Sequence, residues 1–207
     1  MPKNILPQSF SSLMQKLQVI PGVGPKSASK IALHFIQKAP DKAKQLALQI
    51  NQSLDDIRLC SQCRHLADAQ STICNICSDT SRQQNELCIL ESITDLIAME
   101  STQTYKGLYF VLHEYLSPID RIGPEEIGIP LLLDRLNKQP IQEIIFATNR
   151  TIEGQATTHY IIAQLKDKSI KLSQLASGIP FGTDFEFVNQ HTLHDAMINR
   201  NLIASCD

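Results

Sequence analysis

The chain has 207 residues, 43% of them hydrophobic, and a formal net charge of -2, enough apolar material for a real core in one domain or two. No stretch approaches the roughly 18 apolar residues of a membrane span, and the opening MPKNILPQSFSSLMQ has no long apolar core followed by a small-residue cleavage site, so neither export nor anchoring is expected. Six cysteines without a secretion signal point to a reducing compartment, where tight cysteine pairs are more often metal ligands than disulfides.

From Ser11 to about Leu59 the apolar residues recur every three or four positions: Leu13 and Leu17; Ala28, Ile31, Ala32, Phe35 and Ile36; Leu46, Ala47 and Ile50. This period predicts three helices, broken first at Pro21–Gly24 and again near Pro40, which belongs in the first turn of the third. The break reads LQVIPGVGPKSASKIALHF and resembles the hairpin of helix-hairpin-helix DNA-binding elements. Gly22 and Gly24 permit positive φ and close approach of another backbone, and Pro25 starts the next helix without wasting an N–H donor. Such a turn at a helix N-terminus suits a phosphate, and Lys26 and Lys30, four residues apart, add two charges beside it. Gly22, Gly24, Lys26 and Lys30 are therefore the candidate DNA contacts, giving affinity without sequence readout. The alternative is a tight helix–helix turn with solvated lysines. Charge favours DNA: residues 1–84 carry ten Lys and Arg against five Asp and Glu, net +5, whereas 85–207 carry nine against sixteen, net -7.

Residues 60–84 are polar and too poor in apolar side chains to fold by burial alone, so a cross-link is expected to organise them. Cys60-x2-Cys63, a gap of ten residues, then Cys74-x2-Cys77 offers four soft thiolates on two tight turns, suited to one tetrahedral structural zinc per chain. Four incidental thiols are the bland alternative, and a redox dithiol explains only one pair. His65 could compete as a ligand, but four cysteines already satisfy the metal. Cys88, in a strand run, and Cys206, in the tail, lie outside the pattern.

After Gln84, β-like runs at 87–90, 108–112, 143–148 and 170–175 alternate with helical patterns at 94–101, 125–136 and 155–165, predicting a parallel sheet flanked by helices. A last helical segment, 192–203, follows the loop SGIPFGTD. The expected class is thus α+β with an α/β part, divided at 1–59, 60–84, 85–175 and 176–207.

Glu91 after the first of these strands, and TNRTIEG (148–154) after a later one, both sit where open α/β sheets place ligands. The pattern resembles the Toprim domain of primases and topoisomerases, which holds magnesium with that Glu and a later Asp-x-Asp pair. Here Asn149 and Thr151 stand where the two Asp belong, removing most of the charge that binds magnesium. Glu153 leaves only weak metal binding open. Tyr105, Tyr109, Tyr115 and Tyr160 read as ordinary core or surface residues rather than nucleophiles.

Taken in order, IPGVGPKSA (20–28), the cysteine pairs, LSPIDRIGPEEIGI (116–129), ATNRTIEG (147–154) and SGIPFGTDFEF (177–187) give nearly the whole chain a resemblance to the RecR family of bacterial recombination mediators. The resemblance implies a non-enzyme of the cytoplasm and nucleoid that works with RecO, and in some bacteria RecF, to load RecA onto single-stranded DNA at gaps. It also implies homo-oligomers, dimers or rings of four, with N-terminal and C-terminal elements making subunit contacts and the acidic Toprim-like part docking RecO. The chain departs from the family pattern at His113-Glu114-Tyr115, usually Gly-Gly-Ala, in a cysteine gap about two residues longer, at Thr183 and at 187–190. The competing function is a magnesium-dependent nuclease or topoisomerase-like enzyme using Glu91 and Glu153; the missing Asp pair separates the two.

Overall fold

The computed structural model describes residues 5–176, 178–180 and 182–200. They form two compact units. One runs to Arg58 and takes in Asp68–Gln70; the other holds Leu59–Ala67 and the chain from Ser71 on.

The first unit contains the three expected helices, α1 (Gln8–Leu17), α2 (Pro25–Gln37) and α3 (Pro40–Asp56). Pro25 and Pro40 each stand in a first helical turn, where a missing N–H costs nothing. Its core is thin: Phe10, Ala28, Ala32 and Ala39 are buried, but no residue of α3 is. Leu13, Leu17, Phe35, Ile36, Leu46 and Ile50 instead line an apolar groove of about 480 Å³.

Two strands too short for a periodic signal, β1 (Ile57–Leu59) and β2 (Leu66–Asp68), pair with each other, and a single turn, α4 (Asn75–Ser78), follows. The second unit is then built on β3 (Glu86–Leu90), α5 (Ile93–Ser101), β4 (Leu108–Val111), α6 (Ile129–Lys138), β5 (Glu143–Ala147), α7 (Ile152–Gln164) and β6 (Lys171–Gln174). The strands make a four-stranded parallel sheet in the order β4-β3-β5-β6. Alternation along β3 splits its two faces: Leu87 and Ile89 join Leu132 and Leu136 of α6, Ile161 of α7 and Leu165 just after it, while Cys88 and Leu90 pack with Leu96 of α5. Cys88 is a packing residue, its thiol pushed up to about 12 by burial.

Helix α6 begins four residues later than the periodicity predicts. Gly128 adopts φ +77 just before it, in the space that a Cβ would share with the Arg64 guanidinium, so 124–128 form turns instead of helix. A short 3-10 turn (Phe185–Phe187) and α8 (Gln190–Ile198) end the described chain. The expected extension of this last helix over 201–203, and Cys206, lie outside the described residues.

Candidate functional site

At the hairpin, Val23 N donates to Ile20 O at 3.0 Å and closes the turn. Gly22 takes φ +81, which only glycine adopts without strain; Gly24 does not, standing in extended backbone as the N-cap of α2. Neither glycine has an atom within 4 Å of where a Cβ would sit, so what needs them small is not packing within the unit. No side chain caps α2, and Lys26 and Lys30 are exposed on it. The turn thus offers uncapped N–H groups and two cations on an open surface.

The four cysteines converge, each sulfur within 4.8 Å of the others and Cys63 Sγ 3.5 Å from Cys74 Sγ. Cys60, Cys63 and Cys74 are buried and Cys77 half-buried. Two knuckles aim the sulfurs. Cys60 N donates to His65 O at 2.7 Å and Arg64 N to Cys60 O at 3.0 Å, a turn tight enough to hold Arg64 at φ +62; Ser78 N to Cys74 O does the same in α4. Ser61 ties the first knuckle to the second through Thr72 O. Backbone N–H groups of Gln62 and Cys74 point at Cys60 Sγ and that of His65 at Cys63 Sγ, at 3.3–3.4 Å, the donors that a thiolate shell needs. Hydrogen bonds from Cys63, Cys74 and Cys77 pull the Cys60 thiol below its ordinary value, while the same sharing, led by Cys60, pushes Cys63 above it. This donor set can hold a divalent cation, which would take the place of those shared protons; His65 stays outside the group.

The cysteine module is fastened to the outer edge of β4. Val111 N donates to Cys63 O at 2.9 Å, Arg64 to Leu112 O and Glu126 O, and the buried Arg135 of α6 to both Tyr109 O and Gln62 O. His113 holds φ +71, a conformation suited to glycine, and its Nε2 donates to Arg64 O at 2.7 Å. Nothing periodic in the sequence announces these braces, although His113 stands at a marked departure from the family pattern.

Glu91 emerges half-buried from the carboxyl end of β3, as expected. Its Oε2 accepts from two neutral donors, the Tyr115 hydroxyl and Asn149 Nδ2. Tyr115 is a site residue that reading it as ordinary core or surface misses. The signal available was the replacement of a small residue in the turn after β4, the strand beside β3. Burial, with the Glu91 carboxylate second, pushes the Tyr115 hydroxyl up to about 12, so it stays a donor. Thr151 is the N-cap of α7, its Oγ1 accepting from Gly154 N at 3.0 Å. A Cβ on Gly154 would collide with the Asn149 carbonyl, which explains the glycine of this turn. Glu153 is exposed in the first turn of α7. Among the described residues, only the four cysteines form a group of three or more potential ligands close enough to share an ion.

Comparison with known proteins agrees with this order of parts. The chain matches a RecR helix-hairpin-helix model over residues 10–54, a Toprim domain model over 85–176 and a RecR C-terminal model over 178–201. It is similar to the recombination protein RecR of Acinetobacter baylyi, 43% identical over 92% of this chain and 96% of that protein. It is also similar to those of Hydrogenovibrio crunogenus (42%, over 94% and 98%) and Coxiella burnetii (44%, over 91% and 93%).

Proposed function

The chain belongs to the RecR family, and its role is in recombination and repair; on that premise we propose that it is a non-catalytic adaptor that binds DNA without reading sequence. With RecO, and RecF where present, it promotes loading of RecA onto single-stranded DNA at gaps, in the cytoplasm and on the nucleoid. The parts divide this work: 1–59 faces DNA through Gly22, Gly24, Lys26 and Lys30, 60–84 is a structural module with one zinc, 85–175 offers an acidic face to RecO, and 176–207 serves assembly.

The observation that carries the non-catalytic reading is the state of Glu91. Magnesium needs oxygen ligands and negative charge, and keeps strict octahedral geometry. Here Glu91 accepts from two uncharged donors, and Thr151 is spent on capping a helix. The remaining acid, Glu153, is exposed. Zinc, when bound, supplies a cross-link to a segment with little core of its own and no chemistry of strand cleavage. Incubating the protein with magnesium and single- or double-stranded DNA is expected to leave the DNA intact. Reproducible cutting that disappears on Glu91→Ala overturns the adaptor reading in favour of a Toprim enzyme.

A further inference from the structure

Among the described residues, four that are not glycine hold positive φ, a conformation that a Cβ makes costly, and two of these four are bonded to each other. Arg64, at φ +62, follows Cys63 in the first knuckle, and His113, at φ +71, stands just past β4. His113 Nε2 donates to Arg64 O at 2.7 Å across 49 positions of sequence. The chain around His113 is bonded on both sides. Toward the cysteines, Val111 N donates to Cys63 O and Arg64 Nη1 to Leu112 O, both at 2.9 Å. Toward the carboxyl end of the sheet, His113 N donates to Glu91 O at 2.7 Å, the Tyr115 hydroxyl to Glu91 Oε2, and Leu116 N to Thr157 Oγ1 at 3.0 Å. Residues 111–116 are thus one strap, with the first knuckle on one side and Glu91 on the other. Glycine takes such a φ freely; a histidine stays there because its ring is held.

We propose that His113 is a positioning residue that couples the cysteine module to the Glu91 site: with the first knuckle ordered by its metal, His113 keeps Tyr115 on Glu91, and with the knuckle released the strap lets that carboxylate go. Arg64 O is the acceptor that offsets the cost of φ +71. Once the knuckle opens, that acceptor leaves, His113 relaxes to negative φ, and the turning backbone carries Glu114 and Tyr115 with it. Asn149 then remains as the donor on the Glu91 side chain. This deepens the reading above and rests on it, on a metal held by the four cysteines and on an acidic face that carries Glu91 to a partner. It adds a regulation: docking answers to a metal that the docking residue does not touch.

Amide exchange is followed in the full-length protein with zinc and after chelation. Val111, His113 and Leu116 are expected to exchange about tenfold faster without metal, as the hydrogen bonds of the strap open, while Ile89 in the middle of the sheet is unchanged. In His113→Gly, which keeps the φ and removes the ring, chelation is expected still to speed Val111 but no longer Leu116. A Leu116 that ignores chelation in the parent while Val111 responds, or that responds equally in His113→Gly, overturns the coupling. If His113→Gly fails to fold, the parent decides alone by the first of these results. A Val111 indifferent to chelation removes the structural role of the metal and the coupling with it. Tyr115→Phe, which removes only the hydroxyl, is expected to weaken binding of RecO by about tenfold with metal in place, the loss of one hydrogen bond to a charge. Unchanged RecO affinity beside the expected exchange results leaves the coupling standing and overturns the partner role of Glu91.

Discussion

Lys26 and Lys30 put two charges beside an uncapped helix start, and each phosphate they cease to neutralise is expected to flatten the dependence of log affinity on log salt by about 0.9 on duplex DNA. Lys26→Glu with Lys30→Glu should therefore weaken DNA binding and lower the slope by about twice that amount; unchanged affinity and slope reject the site as assigned. These residues are legible in sequence because hairpin chemistry is local: a glycine at φ +81, a proline at the first helical position and two lysines one turn apart all lie within nine residues. Glu91 is legible for a similar reason, as the residue that leaves a strand at its carboxyl end. What happens to Glu91 is not. Its partners Tyr115 and Asn149 come from the turns after two other strands, and only the sheet order brings the three together. Arg135 is hidden more deeply, since on a helical wheel it looks like any arginine in a last turn.

At the scale of elements, period and length decide what can be read. The long helices α1 to α3 and the runs that become β3, β4, β5 and β6 all fall where their spacing places them. Strands of three residues carry no period, so β1 and β2 are invisible, and the start of α6 shifts because Gly128 and Arg64 share space across a wide gap in sequence. The cysteine module is likewise legible in its ligands and illegible in its docking. Its structure rests on the sulfurs and on links to β4 rather than on apolar burial, and structural zinc contributes about 10 to 16 kcal/mol of apparent binding free energy in small modules. Chelation or Cys60→Ser is accordingly expected to unfold this segment and to raise amide exchange at Val111, whose N–H is held by Cys63 O, while Ile89 in the middle of the sheet stays protected. Exchange at Val111 that is indifferent to metal removes the structural role.

At the scale of the whole molecule, the first unit has an apolar surface that three helices do not cover. Ile36, Leu48 and Leu54 are 55%, 60% and 75% exposed, and the α3 helix contributes nothing to a buried core. Monomeric proteins rarely leave such surfaces bare, and a clamp on DNA must be made of several subunits. Light scattering of the purified protein is expected to give a mass of two or four times 23.1 kDa, and a monomer across micromolar concentrations contradicts the assembly. The net charge of -2 conceals a cationic first stretch and an anionic remainder, so rising ionic strength should weaken both the association of the first with DNA and that of the second with a basic partner surface. The cysteine module sits on the outer edge of β4, where Val111 N donates to Cys63 O. An uncovered strand edge pairs with any strand it meets, a neighbouring copy included. Loss of the metal that the four cysteines can hold is then expected to expose a seed for precipitation, so that dispersal of the protein would follow metal supply.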